Sequence, residues 1–251
     1  VLVLLPPSET KRDGGTSGAL DLAALAWPAL TRTRETVLDD LVALAADRDD
    51  MMRALKLGPR LSAEVDRNAA VRDSPTMPAL DRYTGVLYDA LDAGSLDEQA
   101  REFAAASVAV HSAVFGLVGG LDPIPAYRLS HDSRLPGARL KARWRAAVAR
   151  ELDAHDGLIV DLRSEGYVEL GPAPRREDSV FVRVVADDGS GRRRALNHFN
   201  KQAKGRLTRA LLATRPTLAT TGDLVDWAAS AGFVIHAGSS DLPAHEVQLV
   251  V

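Results

Sequence analysis

Residues 1–11 read VLVLLPPSETK, and the fold turns on this opening. Val1–Leu5 is a short, continuous apolar run, and Pro6-Pro7 stop it because proline cannot donate to a ladder; this is how a buried strand reads. Ser8, Glu9, Thr10 and Lys11 follow at once. A hydroxyl, a carboxylate and an ammonium thus sit at a strand end, where open α/β sheets hold ligands. The run is not a P-loop, since no glycine cradle precedes Lys11, and an exposed turn is the competing reading. A Gly/Ser loop, Arg12–Gly18 (RDGGTSG), comes next, in a position that often carries ligand contacts.

Working outward, helical spacing runs from Glu35 to Leu57 through Val37, Leu38, Leu41, Leu44 and Ala45, and Gly58-Pro59 ends it. Ser95 with Glu98 reads as a capping box for a helix to about Ala106, followed by a strand through Val108 and Val110. Leu140–Leu152 is a helix with Trp144, Ala147, Val148 and Leu152 on its apolar stripe, and Leu158–Leu162 is a buried strand. Ser179–Ala186 and Arg194–Phe199 flank DDGSG, a hairpin signal. Asn200–Thr214 is a basic amphipathic helix, Asp223–Ala231 a short one, and Phe233–His236 and Val247–Val251 are closing strands. Strands and helices mix without a strict βαβ rhythm, so the expected fold is α/β, a mixed β-sheet covered by helices in one domain over residues 1–251. Val114–Arg128 (VFGLVGGLDPIPAYR) has two readings, a tight loop between elements or a helix–hairpin–helix-like turn whose amides would face a phosphate.

The net charge of −3 conceals an asymmetry: Arg128–Arg215 holds 19 Lys/Arg against 11 Asp/Glu, and the rest holds 12 against 23. A basic region on an acidic chain fits a phosphate-rich partner; a salt-laced solvated surface is the bland alternative. There is no cysteine, which excludes disulfides, thiolate metal sites and a cysteine nucleophile. No stretch approaches the ~20 apolar residues of a membrane span, and the expectation is a cytoplasmic protein without a membrane partner. The six histidines form neither HxxxH nor HExxH, so no metal site is expected, and GxSxG and GxGxxG are absent. No cofactor is expected.

Polar groups gather at three further places: NKQAKGRLTR (Asn200–Arg209), where Gly205 inside a helix suggests a close approach to the backbone; Tyr127-Arg128 after a Gly/Pro-rich turn; and Asp161–Tyr167 (DLRSEGY) at the end of a buried strand.

Taken together, the segments resemble the YaaA family of peroxide stress response proteins. Val1–Lys11 is similar to its N-terminal strand and PPSEGK-like turn, Arg82–Tyr88 (RYTGVLY) to its YTG segment, and Ser112–Leu129 to its SGLYGVLRPLDxxxPYRLE stretch. Asp161–Tyr167 is similar to NLASxEY, and His198–Arg209 to YxKxARG. Thr10, His131, Asp161, Arg163 and Gly166 depart from those patterns. The resemblance implies an α/β fold, with a helix–hairpin–helix-like element, and a role in lowering damage during hydrogen peroxide stress by limiting free iron and binding DNA through a basic cleft. It marks Ser8, Lys11, Arg128, Ser164, Tyr167, Lys201 and Arg209 as a ligand pocket.

Two functions follow as expectations. The first is sequence-independent DNA binding in the oxidative stress response, limiting iron-dependent damage. Phosphates would be neutralised by Lys141, Arg143, Arg145, Lys201, Lys204, Arg206 and Arg209, with Arg192, Arg193 and Arg194 beside them. The second is an enzyme acting on a nucleotide-like or other small anionic substrate. There Lys11, Arg128, Ser164 and Lys201 hold the anion, Glu9 is the general base, and Ser8 and Tyr167 orient the substrate. Convergence on one pocket favours the second, and an open basic groove the first. An iron-buffering role ranks last, for want of ligand spacing.

Overall fold

The computed structural model describes residues 1–187, 193–195, 197–237 and 245–251. Strand β1 (Leu2–Leu5) forms where the apolar run demands it, and all four residues are buried. Then come α1 (Thr31–Ala45), α2 (Arg48–Ala54), α3 (Ala63–Ala69), β2 (Met77–Pro78), α4 (Ala79–Arg82), α5 (Val86–Leu91) and α6 (Glu98–Ser107). They are followed by β3 (Val108–Ser112), β4 (Gly116–Gly119), β5 (Pro123–Ile124), α7 (Leu140–Asp153), β6 (Ile159–Asp161) and α8 (Glu165–Leu170). The chain closes with β7 (Ser179–Asp187), β8 (Arg193–Ala195), α9 (Asn197–Thr214), α10 (Thr221–Ser230), β9 (Val234–Ala237) and β10 (Glu246–Val250).

The main sheet has the order β4-β3-β1-β6-β7-β10-β9, with β8 paired to β7. The run β3-β1-β6-β7-β10 is parallel, while β4, β8 and β9 are antiparallel additions. This is the mixed sheet expected from the sequence. β1 lies inside it between β3 and β6, and a strand flanked on both sides in a parallel sheet reads as unbroken hydrophobicity rather than alternation. Each of its fully buried leucines contributes about 1.5–3 kcal/mol relative to exposure. From β1 the chain moves on to β3 on one side, and from β6 to β7 on the other, so the loops leaving their carboxyl ends diverge and open a crevice.

Four expectations are corrected. The span Glu35–Leu57 is two helices, because Asp47 takes an extended conformation and its carboxylate accepts from the Asp50 amide at 2.9 Å, capping α2. The cap of α6 is Asp97, accepting from the Ala100 amide at 2.7 Å; Ser95 instead turns its hydroxyl to the Asp92 carboxylate at 2.6 Å. The segment 114–128 is no helix–hairpin–helix: β3 and β4 pair as a β-hairpin, and β5 pairs with β2. The strand after DDGSG ends at Ala195, and α9 starts by Asn197, so Phe199 is helical. The turn residues after Asp187 lie outside the described residues.

Buried arginines tie helices to loops. Arg34, on the apolar side of α1, donates to the carbonyls of Phe115 (2.9 Å), Leu117 (2.7 Å) and Ala26 (2.6 Å), anchoring the β3–β4 hairpin. Helix α9 packs on α5, α6 and β7. Gly205 is the reason it can: a Cβ there would stand 2.2 Å from the Leu87 carbonyl oxygen. The close approach expected at Gly205 is made by α5, within the fold.

Candidate functional site at the carboxyl ends of the central strands

Residues that leave β1 build one wall of the crevice. Lys11 is buried, and its Nζ donates to the carbonyls of Ser8 (2.8 Å) and Glu9 (3.4 Å). The same nitrogen lies 4.0 Å from the centre of the Tyr127 ring and 5.3 Å from that of Tyr83. Burial, then the neighbouring Arg128 guanidinium, lower the Lys11 pKa to about 7. Arg128 donates to the Glu9 carboxylate at 2.6 Å, and Asn68 brackets its backbone with two 2.8 Å bonds, one to each peptide group. Ser8, Thr10 and Thr84 set a line of hydroxyls at the mouth, with 3.3 Å from Ser8 to Thr10 and 3.0 Å from Thr84 to Thr10.

Below this mouth lies a phenol network. Tyr127 shares its hydroxyl with Tyr83 (2.8 Å) and with Ser112 at the end of β3 (2.7 Å), and Tyr88 donates to the Pro6 carbonyl at 2.7 Å. Burial raises the Tyr127 pKa to about 12 and holds Tyr83, Tyr88 and Tyr167 above the usual phenol range. Tyr167, in α8, stands close enough for Tyr127 and Glu9 to add to its shift. All four tyrosines of the chain therefore serve this region.

The opposite wall leaves β6. Arg163, fully buried, grips Asp161 with two bonds (2.9 and 2.6 Å) and donates to His111 Nδ1 and the Gly171 carbonyl, both at 2.8 Å. His111 is thereby held neutral, its pKa pushed well below the usual range by burial and then by Arg163. Its Nε2 has no hydrogen-bond partner among the described residues. Lys204, buried on α9, donates to the Arg163 carbonyl at 3.2 Å, and burial lowers its pKa to about 8. Ser164 is exposed at the start of α8, and its side chain does not cap the helix.

Four of the residues that depart from the resembled pattern form two pairs. Asp161 and Arg163 are an ion pair. Gly166 leaves the room that His131 fills: a Cβ at 166 would stand 2.0 Å from the His131 ring, which lies 5.2 Å from Tyr167. A cavity of about 420 Å³ opens beside them, bordered by Arg134, Lys141 and Glu169.

The structure thus links Ser8, Glu9, Lys11 and Arg128, with Tyr167 near Glu9, while Ser164 stands exposed at the start of α8 and Lys201 exposed on α9. It disperses the cations of the expected groove. Arg143 is bound to Asp40 and to the carbonyls of Pro136 and Ala138, Arg209 closes α5 through the carbonyls of Leu91 (2.9 Å) and Asp92 (2.8 Å), and Lys204 is buried. Lys141 and Arg145 sit on α7 bonded to Glu169. Arg206 is exposed, roughly 200° around α9 from Lys204 at 3.6 residues per turn. Arg192 and the side chains of Arg193 and Arg194 lie outside the described residues. The sequence reading missed Tyr83, Tyr88, Asn68, Ser112 and His111. The RYTGVLY run holds Tyr83 and Tyr88, and Ser112 opens the 112–129 stretch; Asn68 and His111 carry no local pattern. Among the described residues there is no cluster of His, Asp or Glu fit to hold a metal, and no helix long and apolar enough to cross a membrane.

Comparison with known proteins adds the relationships. The family model described as peroxide stress protein YaaA matches residues 1–238. UPF0246 proteins from Corynebacterium efficiens and Corynebacterium glutamicum are 45% identical over 241 residues and 43% identical over 242, each covering 94% of both chains. One from Streptomyces coelicolor is 40% identical over 260 residues, covering 98% of this chain and all of its own.

Proposed function

The chain belongs to the peroxide stress protein YaaA family, and from that premise we propose that it serves the peroxide stress response by seating a phosphate-bearing ligand, a nucleotide free or within DNA, in the crevice between β1 and β6. One observation carries this reading. Four basic residues, Lys11, Arg128, Arg163 and Lys204, stand there, and among the described residues two carboxylates, Glu9 and Asp161, are bonded to them. An unbalanced cationic surplus behind a mouth of hydroxyls is a preorganised anion seat. A phosphate arriving there supplies the missing charge and favours the protonated form of Lys204. In the enzyme form of this reading, Ser8, Ser164 and Tyr167 orient the ligand and Glu9, exposed beside Arg128, takes a proton from it.

The DNA form is supported by Lys141, Arg145, Lys201 and Arg206, all exposed. Contacts of this kind are made to phosphates and carry no sequence preference. They displace cations condensed on the backbone. Iron(II) held at those phosphates would be displaced with them, which is how binding would limit iron-dependent damage to DNA.

Fluorescence anisotropy with labelled single-stranded and duplex DNA, competed by free nucleotides across a salt series, tests the proposal. A seat for one or two phosphates gives a log–log salt slope of about −1 to −2, whereas a groove spanning six or more gives about −5 or steeper. Arg128→Ala and Lys201→Ala should weaken binding. No binding at low salt, or binding indifferent to both substitutions, rejects the anion seat.

A further inference from the structure

Lys11 is placed as no anion-holding lysine needs to be. It is 8% exposed, and its nitrogen is bonded to two main-chain carbonyls and seated on a tyrosine face. Of the two carboxylates that favour its charge, Glu64 and Glu9, the second is taken by Arg128. The charged groups that face it are Arg128 and Arg67 on one side of the balance, Glu64 and Glu9 on the other, and Glu64 is itself paired with Arg67 at 2.8 Å. Desolvation combined with a neighbouring cation is how proteins make a lysine nucleophilic. Glu64 and Glu9 oppose that trend, and the balance leaves the Lys11 pKa at about 7. Lys204 is buried too, but it has Asp161 nearby to favour its charge.

We propose that Lys11 is a nucleophile that forms an imine with an aldehyde carried by a phosphate-bearing ligand of this crevice. The inference rests on the anion seat proposed above for the phosphate, and adds the carbonyl. In the step, the neutral amine adds its electron pair to the carbonyl carbon, and the C–N bond forms as the carbonyl π pair moves to oxygen. Proton transfer from nitrogen to that oxygen gives the carbinolamine. A proton from solvent then lets the hydroxyl leave as water, giving the protonated imine. No oxidant or reductant is consumed. Two sources share this chemistry: a free sugar phosphate, and a DNA strand whose sugar has lost its base and opened to the aldehyde.

The test treats the whole chain with glyceraldehyde 3-phosphate, with an oligonucleotide bearing one abasic site, or with propanal. Borohydride traps the imine, and peptide mapping follows Lys11, Lys56, Lys141, Lys201 and Lys204. The expected result is capture at Lys11 at least about tenfold faster than at exposed Lys56, levelling off above about pH 7. Lys11→Met should abolish it; because mapping is done on the wild type, a poorly folding variant leaves the test intact. Capture of the sugar phosphate but not the abasic strand assigns a free metabolite, and the converse assigns DNA damage. Equal labelling of all five lysines overturns the proposal. Nucleotide binding by calorimetry with no capture at Lys11 overturns the imine alone. Capture of propanal with no capture of either phosphate overturns the ligand class and the anion seat with it.

Discussion

Gly205→Ala tests the packing on which the whole second wall depends. The new Cβ would lie 2.2 Å from the Leu87 carbonyl oxygen and 2.8 Å from the Ala90 Cβ. Ordinary contact needs well over 3 Å, so α9 and α5 must part by about 1 Å. Neither obstacle can rotate away, because one is backbone and the other the first atom of a side chain. Overpacking of this kind costs about 3 kcal/mol, while alanine in place of glycine returns about 1 kcal/mol in helix propensity. The net expectation is a loss of about 2 kcal/mol, or roughly 4–8 °C in Tm for a chain of this length. Urea unfolding reads it directly. Gly222→Ala is the control: it is exposed on α10 and meets nothing closer than 3.5 Å, so it should gain about 0.5–1 kcal/mol. A Gly205→Ala protein as stable as the wild type would refute the argument. A destabilised one should also bind anions less well, since α9 carries Lys204 to the Arg163 carbonyl.

Other perturbations separate structure from site. Asp161→Ala leaves Arg163 buried without its carboxylate and should cost about 3–5 kcal/mol in urea unfolding; a loss below 1 kcal/mol would show that His111 and Gly171 hold Arg163 unaided. Arg209→Ala removes two bonds to the end of α5, costing about 1–2 kcal/mol, and should leave DNA affinity unchanged at matched folded fraction. Stability should climb from about pH 7 toward pH 10, because Lys11 and Lys204 have folded pKa values of about 7 and about 8, so the unfolded chain binds more protons in that window. Buried, neutral His111 adds loss in the same direction as pH falls below its unfolded value. Thermal melts of wild type against Lys11→Met should show a difference that grows with pH; a constant difference would refute the assignment.

What the sequence made legible follows periodicity. β1, β6 and α7 are continuous or amphipathic runs whose period reports the burial they meet. The break at Asp47 was hidden because the apolar spacing continues across it, from Leu41 and Leu44 to Met51, while a single cap divides the helices. The hairpin turning at 113–115 was hidden because Ala-Val-Phe carries no turn signal, while the Gly-x-x-Gly-Gly that reads as a turn is β4 itself and the residue after it. At the site, the strand-end polar residues could be named because polar groups directly after a buried strand stand at its edge. The mistaken part was to treat every basic residue as a surface cation. Arg143 and Arg209 satisfy carbonyls at loop and helix ends, and Lys204 and Arg163 lie inside. Charge counting cannot see this, because an arginine that replaces a missing backbone donor looks in sequence like one that awaits a phosphate.

The gathering of Tyr83, Tyr88, Tyr127 and Tyr167 around one crevice has an optical consequence. Trp27, Trp144 and Trp227 are placed elsewhere in the chain, two of them partly buried and Trp144 sealed against the Ala113 carbonyl. Phenol signals in near-ultraviolet circular dichroism and Raman spectra therefore come from the crevice alone, and indole signals from the surrounding scaffold. The molecule carries its own two-channel indicator: a ligand that seats itself changes the first channel and leaves the second still, and unfolding changes both.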